Sequence, residues 1–197
     1  MSSVLTRSRD SKERPRDPTL QNSHSDLIVS STAPDWTRER PRRFWDPSRR
    51  LLKSIRDYRN AGARARPWAG LLRKYCALRH RFWTVVTGAE IDVNAVMGGG
   101  LLIPPPNGIV IHPQAVIGPN CLIFQQVTVG TTARGGTPRI GGHVDIGAGA
   151  RILGGITVGD HAVIGANAVV LEDVPSHGRA VGVPAVVSVR PSVLAAP

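Results

Sequence analysis

From Ile111 to Val170 a branched aliphatic residue returns at every sixth position with one interruption: Ile111, Ile117, Ile123 and Val129, then Ile140, Ile146, Ile152, Val158, Ile164 and Val170. A helix repeats about every 3.6 residues and an isolated strand about every two, so neither accounts for this run. A solenoid whose short strands each end in a turn does. Stacked coils leave their ends and edges uncovered, so oligomerisation is expected.

Glycine follows many of these positions, as in Ile117-Gly118, Ile140-Gly141, Ile146-Gly147, Val158-Gly159 and Ile164-Gly165, which suits a chain that turns every few residues. Two places before the aliphatic residue the side chain is small, at Ala115, Cys121, Ala150, Ala162 and Ala168. Both positions point inward in a narrow core. Cys121 is thereby a packing residue. With Cys76 the only other cysteine, no disulfide framework, no metal-ligand spacing and no thiol mechanism is expected.

The 197 residues carry a formal charge of +11, distributed unevenly. Residues 1–88 hold 20 Lys and Arg against 8 Asp and Glu, whereas residues 89–197 hold 5 against 6. The repeat region is therefore nearly neutral and the basic charge lies in an Arg-, Ser- and Pro-rich leader, a composition that reads as disordered rather than as a nucleic-acid surface. No stretch has the 20 or so apolar residues of a membrane span, and the start lacks a secretory apolar segment. The expected location is the cytoplasm.

Four regions follow: a basic leader over 1–44, a helical segment over 45–88, the solenoid over 89–187 and a tail over 188–197. Asp46-Pro47 starts a first helix, with Asp as cap. It presents Leu51, Leu52, Ile55 and Tyr58 on one face and ends near Gly62. A second opens at Pro67 and runs to Gly88, with Trp68, Leu71, Leu72, Tyr75, Phe82 and Val86 as its packing face. The pair is expected to cap the open end of the coil.

The stretch from Glu90 to Thr132, with EIDVNAVMGGG, NGIVIHPQAVIGPN and FQQVTVGTT, and the stretch from Pro138 to Ala185, with IGAGARILGG and AVGVPA, resemble the serine acetyltransferases of the hexapeptide-repeat acyltransferase superfamily. The likeness covers residues 75 to 187. It implies a mainly β fold, a left-handed parallel β-helix with about three hexapeptides per coil, acetyl-CoA as donor and a homotrimer. It also implies O-acetylation of L-serine in cysteine biosynthesis, in which a histidine base removes the hydroxyl proton as the oxygen attacks the thioester.

The catalytic motif departs from that family. Where the family reads Asp-His-Ala-Thr-Gly-Ile-Val this chain has Pro104-Pro105-Pro106-Asn107-Gly108-Ile109-Val110, so Pro105 replaces the histidine. Thr137 replaces the second. His112 and His143 are the candidate replacement bases, and Glu90 falls where the family has an aspartate. His161 and His177 fit surface corners, and His80 belongs to the helical cap. The resemblance places the CoA groove along Gly147, Ala148, Gly165 and Ala166 and at Val183-Pro184, with Arg139, Arg151 and Arg179 as phosphate partners. No metal site is implied. The C-terminal isoleucine that joins some family members to cysteine synthase is absent from Ala195-Ala196-Pro197, so that partnership is not expected. Two other readings remain: transfer to a sugar hydroxyl, and a catalytically silent CoA-binding trimeric scaffold, which Pro105 favours.

Overall fold

The computed structural model describes residues 29–62 and 68–189, which leaves the leader to residue 28, the helix start at Pro67 and the tail from residue 190 outside the described residues. The chain winds into a parallel β-helix of about five turns with two helices at its N-terminal side. Three sheets form its walls. The first contains Glu90–Ile91, Val110–Ile111, Thr128–Gly130, Arg151–Leu153 and Val169–Val170. Val96–Met97, Val116–Ile117, Arg139–Ile140 and Thr157–Val158 make the second. The third holds Leu122–Ile123, Asp145–Ile146, Val163–Ile164 and Gly178–Val181, closed by the antiparallel Val186–Val189.

Each two-residue strand turns its second residue inward. The six-residue period therefore becomes three columns of buried side chains: Ile91, Ile111, Val129, Ile152 and Val170; Met97, Ile117, Ile140 and Val158; and Ile123, Ile146, Ile164 and Ala180. The small residues Ala115, Cys121, Ala150, Ala162 and Ala168 are fully buried between them, as their spacing predicts. Burial pushes the Cys121 thiol up to about 11, which leaves it unreactive at neutral pH.

The corner glycines serve a different purpose from the one the sequence suggests. Gly118, Gly141, Gly147, Gly159 and Gly165 have ordinary backbone angles, and what forbids a side chain there is the next coil. A Cβ at Gly147, for instance, would lie 2.5 Å from the Ala166 nitrogen.

Helix α1 (Pro47–Gly62) matches its sequence reading at both ends, and the Arg49 N–H donates to Asp46 Oδ1. Leu51, Leu52 and Ile55 are buried on the first coils. Helix α2 (Ala69–Thr87) stops at Gly88, whose φ of 64° and N–H bond to the Thr84 carbonyl form the cap.

The packing face of α2, however, is not the predicted one. Cys76, His80, Trp83 and Thr87 are buried, whereas Trp68, Leu71, Leu72, Tyr75, Phe82 and Val86 lie toward solvent. Spacing identifies an apolar face but not whether α1 and the coil take it. Here they take the adjacent strip, whose polar members have internal partners: Thr87 Oγ1 donates to the Trp83 carbonyl, and His80 bridges Ser54 to Ile91.

Residues 29–44, assigned to the leader by composition, lie along the coil as a strap. The Asp35 N–H donates to Asn120 Oδ1 at 2.8 Å, and Asn120 Nδ2 donates to the carbonyls of Ser30 and Ala33. Farther on, Glu39 is buried and accepts from the Leu101 N–H and from Arg56, which also donates to the carbonyls of Met97 and Gly98. The pair is hidden among backbone groups that composition does not reveal.

Candidate functional site

The outward residues of the first sheet run Glu90, Val110, Thr128, Arg151 and Val169 on successive rungs. At its N-terminal end α2 forms the second wall of a groove of about 570 Å³, lined by His80, Arg81 and Thr84 from the helix and by Glu90, Asp92, Val110, His112 and Thr128 from the coil. Two of the three sequence-predicted catalytic residues, Glu90 and His112, thus share one groove.

Local hydrogen bonds fix how the imidazoles present themselves. His80 Nε2 lies 2.9 Å from the Ile91 carbonyl, which only accepts, so the ring proton is on Nε2, and Nδ1 lies 3.0 Å from Ser54 Oγ, whose hydroxyl donates to the Leu51 carbonyl. Burial holds its pKa below the ordinary value, so the ring is a neutral strut that ties α2 and α1 to the strand carrying Glu90.

His112 Nδ1 accepts from the Gln114 N–H at 3.2 Å. A neutral ring held this way carries its proton on Nε2. Thr137, in place of the second family histidine, donates to the Gln114 carbonyl and so buttresses the same turn.

His143 is elsewhere. It lies at the corner between the second and third sheets, where its Nδ1 is 2.9 Å from His161 Nδ1 and His161 stacks on His177 with ring centroids 4.8 Å apart. The structure does not bring it to Glu90, because residues that follow second-sheet strands turn at a different corner from those that follow first-sheet strands.

The predicted donor residues separate in the same way. Gly147 and Ala148 stack on Gly165 and Ala166 at the corner between the third and first sheets, with the Asn167 N–H donating to the Ala148 carbonyl. The turn containing Val183-Pro184 joins this column, since the Val169 N–H donates to the Gly182 carbonyl and the Ala185 N–H to that of Val169. Arg151 lies on the first sheet and Arg179 on the third, on either side of the column, whereas Arg139 lies on the second sheet, away from it within one chain. At the same corner one coil earlier, Gln125 Oε1 is buried without a partner among the described residues and the Gln125 carbonyl accepts from the Gly149 N–H.

Sequence reasoning missed Arg81, Asp92 and Thr128. Asp92 was within reach of alternation, since it flanks inward Ile91 opposite Glu90, but Arg81 enters only through the angle at which α2 crosses the coil. Among the described residues no group of three or more His, Cys, Asp or Glu side chains converges as a metal site would require.

The bacterial transferase hexapeptide family (six repeats) matches residues 137–172. A serine acetyltransferase from Synechococcus elongatus is 42% identical over 112 residues, 55% of this chain and 46% of that protein. Among solved structures, the soybean serine acetyltransferase apoenzyme superimposes with a TM-score of 0.57 at 38% identity, covering 68% of this chain and 56% of that one. A serine acetyltransferase solved in complex with CoA gives 0.61 at 33% identity, covering 73% and 57%. The chain spans about half the length of the curated relatives it matches.

Proposed function

We propose, from a solenoid that belongs to the hexapeptide-repeat acyltransferase superfamily, that this chain transfers the acetyl group of acetyl-CoA to the hydroxyl of L-serine. The observation that carries this reading is the charge pattern of the groove. One guanidinium, Arg81, and two carboxylates, Glu90 and Asp92, line the groove together with His112. That set suits a zwitterion, with the α-carboxylate of serine on Arg81, its ammonium on Asp92 and its hydroxyl between Glu90 and His112. A neutral sugar would leave Arg81 and Asp92 without charged partners.

In this reading Glu90 removes the hydroxyl proton as the serine oxygen attacks the thioester carbonyl carbon. His112 Nε2–H donates to the oxyanion that forms, the carbon–sulfur bond breaks, and the proton on Glu90 passes to the departing CoA sulfur. Acetyl-CoA lies along the column of Gly147, Ala148, Gly165 and Ala166, where the absence of large side chains lets a linear ligand approach the backbone. The partnerless Gln125 Oε1 supplies an acceptor for an amide N–H of the pantetheine arm. Arg151 and Arg179 are placed for phosphates, and Arg139 would meet them only from a neighbouring subunit. We assign a homotrimer, with light scattering expected to give three chain masses, and a cytoplasmic location; no helix among the described residues is long and apolar enough to cross a membrane.

Thiol release from acetyl-CoA, measured with L-serine and with a panel of sugars, tests the assignment. Serine is expected to be the acceptor, and Glu90→Gln and His112→Ala each to lower kcat by about 10²–10³-fold. Sugar-only turnover would overturn the serine assignment, and no turnover with CoA binding intact would favour the silent scaffold.

A further inference from the structure

The side of α2 that faces away from α1 and the coil carries two parallel lines of large apolar residues at intervals of seven. Trp68, Tyr75 and Phe82 form one, exposed by 60%, 60% and 53%, and Leu71, Leu78 and Val85 the other, exposed by 74%, 69% and 78%. Read together they advance by alternating steps of three and four over nearly three heptads, which is the seam of a coiled coil. No other described element covers it. A helix that merely lies on the surface of its own domain has no physical reason to hold this register on its solvent side.

The charges beside the seam decide what fits it. Lys74 and Arg81 flank one edge and Arg79 the other, and no acidic residue occurs between Trp68 and Gly88. Arg79 is already held by Asp57, and Lys74 is exposed. A second copy of α2 would meet like charge in either orientation, Lys74 opposite Arg79 when parallel and opposite Arg81 when antiparallel. A lipid surface suits the positive charge but has no use for a seven-residue register.

We infer that this face docks an α-helix of a different protein, one whose apolar heptad seam is flanked by Glu and Asp. The shallow apolar groove between Tyr75, Leu78, Phe82 and Val85 receives the partner's central seam residue, and Lys74 pairs with an acidic flank.

Two synthetic four-heptad helices with leucine seams, one flanked by glutamate and the other by lysine, serve as probes against the full chain. Fluorescence anisotropy of labelled peptides is expected to show saturable binding of the glutamate probe and none of the lysine probe. Leu78→Glu and Val85→Glu, both at exposed positions, are each expected to weaken the glutamate probe at least about tenfold with acetyl transfer and circular dichroism unchanged. Lys74→Glu is expected to weaken it and to admit the lysine probe. Equal binding of both probes, or of neither, overturns the inference. So does a wild-type self-association that Leu78→Glu abolishes, which would make the occupant a second copy. Flotation with phosphatidylserine vesicles that Leu78→Glu abolishes while neither peptide binds would make it a membrane, and is equally decisive against a helix.

Discussion

Asn120, His143, His161 and His177 turn successive coils at the corner between the second and third sheets, each with φ between 53° and 61°. Asparagine and histidine tolerate this left-handed region better than most residues, which accounts for three imidazoles in one column without any catalytic demand. Their protonation still has a consequence. An Nδ1 to Nδ1 contact of 2.9 Å needs one nitrogen to donate and the other to accept, so two imidazolium rings cannot keep it. Burial lowers the His143 pKa below its ordinary 6.5, His161 and Arg38 push it the same way, and Asp145 opposes. The unfolded chain takes up the proton near 6.5, whereas the folded one resists it, so this contribution is full above that pH and is lost as pH falls through the lower folded value. His80 titrates with the same sign. The Tm is therefore expected to drop between pH 7.5 and 5, and to drop less in His143→Asn, which keeps the backbone conformation and removes the ring. An equal drop in both would remove His143 from the explanation.

Among the elements, the strap and α2 show where local pattern ends. The ladder of Ile111 to Val170 was legible because each two-residue strand repeats one geometry, so a period in the sequence becomes a column in space. The strap has no period. It is held by single polar groups, chiefly Asn120, whose side chain satisfies three backbone groups at once. Asn120→Ala is expected to cost about 2–3 kcal/mol in chemical denaturation, because it strands backbone groups and puts alanine at positive φ. Asn120→Gly should recover the strain but not the bonds, and in both variants limited proteolysis should cut residues 29–46 first. Of the site, Glu90 was legible through alignment with a family motif and His112 through its nearness in sequence to the altered motif. Arg81 was not, since the same helix wheel serves with either face inward until α1 is in place.

On the scale of the whole molecule, Arg56 and Glu39 lock strap, α1 and first coils into one unit. Only 15% and 7% of their side chains are exposed, so removing one partner leaves a buried charge. Glu39→Ala is expected to cost about 3–5 kcal/mol, whereas a double replacement by apolar residues of similar volume should recover much of that loss. If CoA occupies the proposed column, CoA at one hundred times its Kd should stabilise the fold by about 2.7 kcal/mol, read as a rise in Tm.

The sequence by itself determined the coil, its inward columns and the two helix ends, because those depend on contacts between residues at fixed, short separations. Only the tertiary structure decided which face of α2 is buried, that residues 29–44 belong to the coil, and that His112 joins Glu90 while His143 does not. Each of these depends on how distant segments meet, and the period along the chain carries no information about that angle.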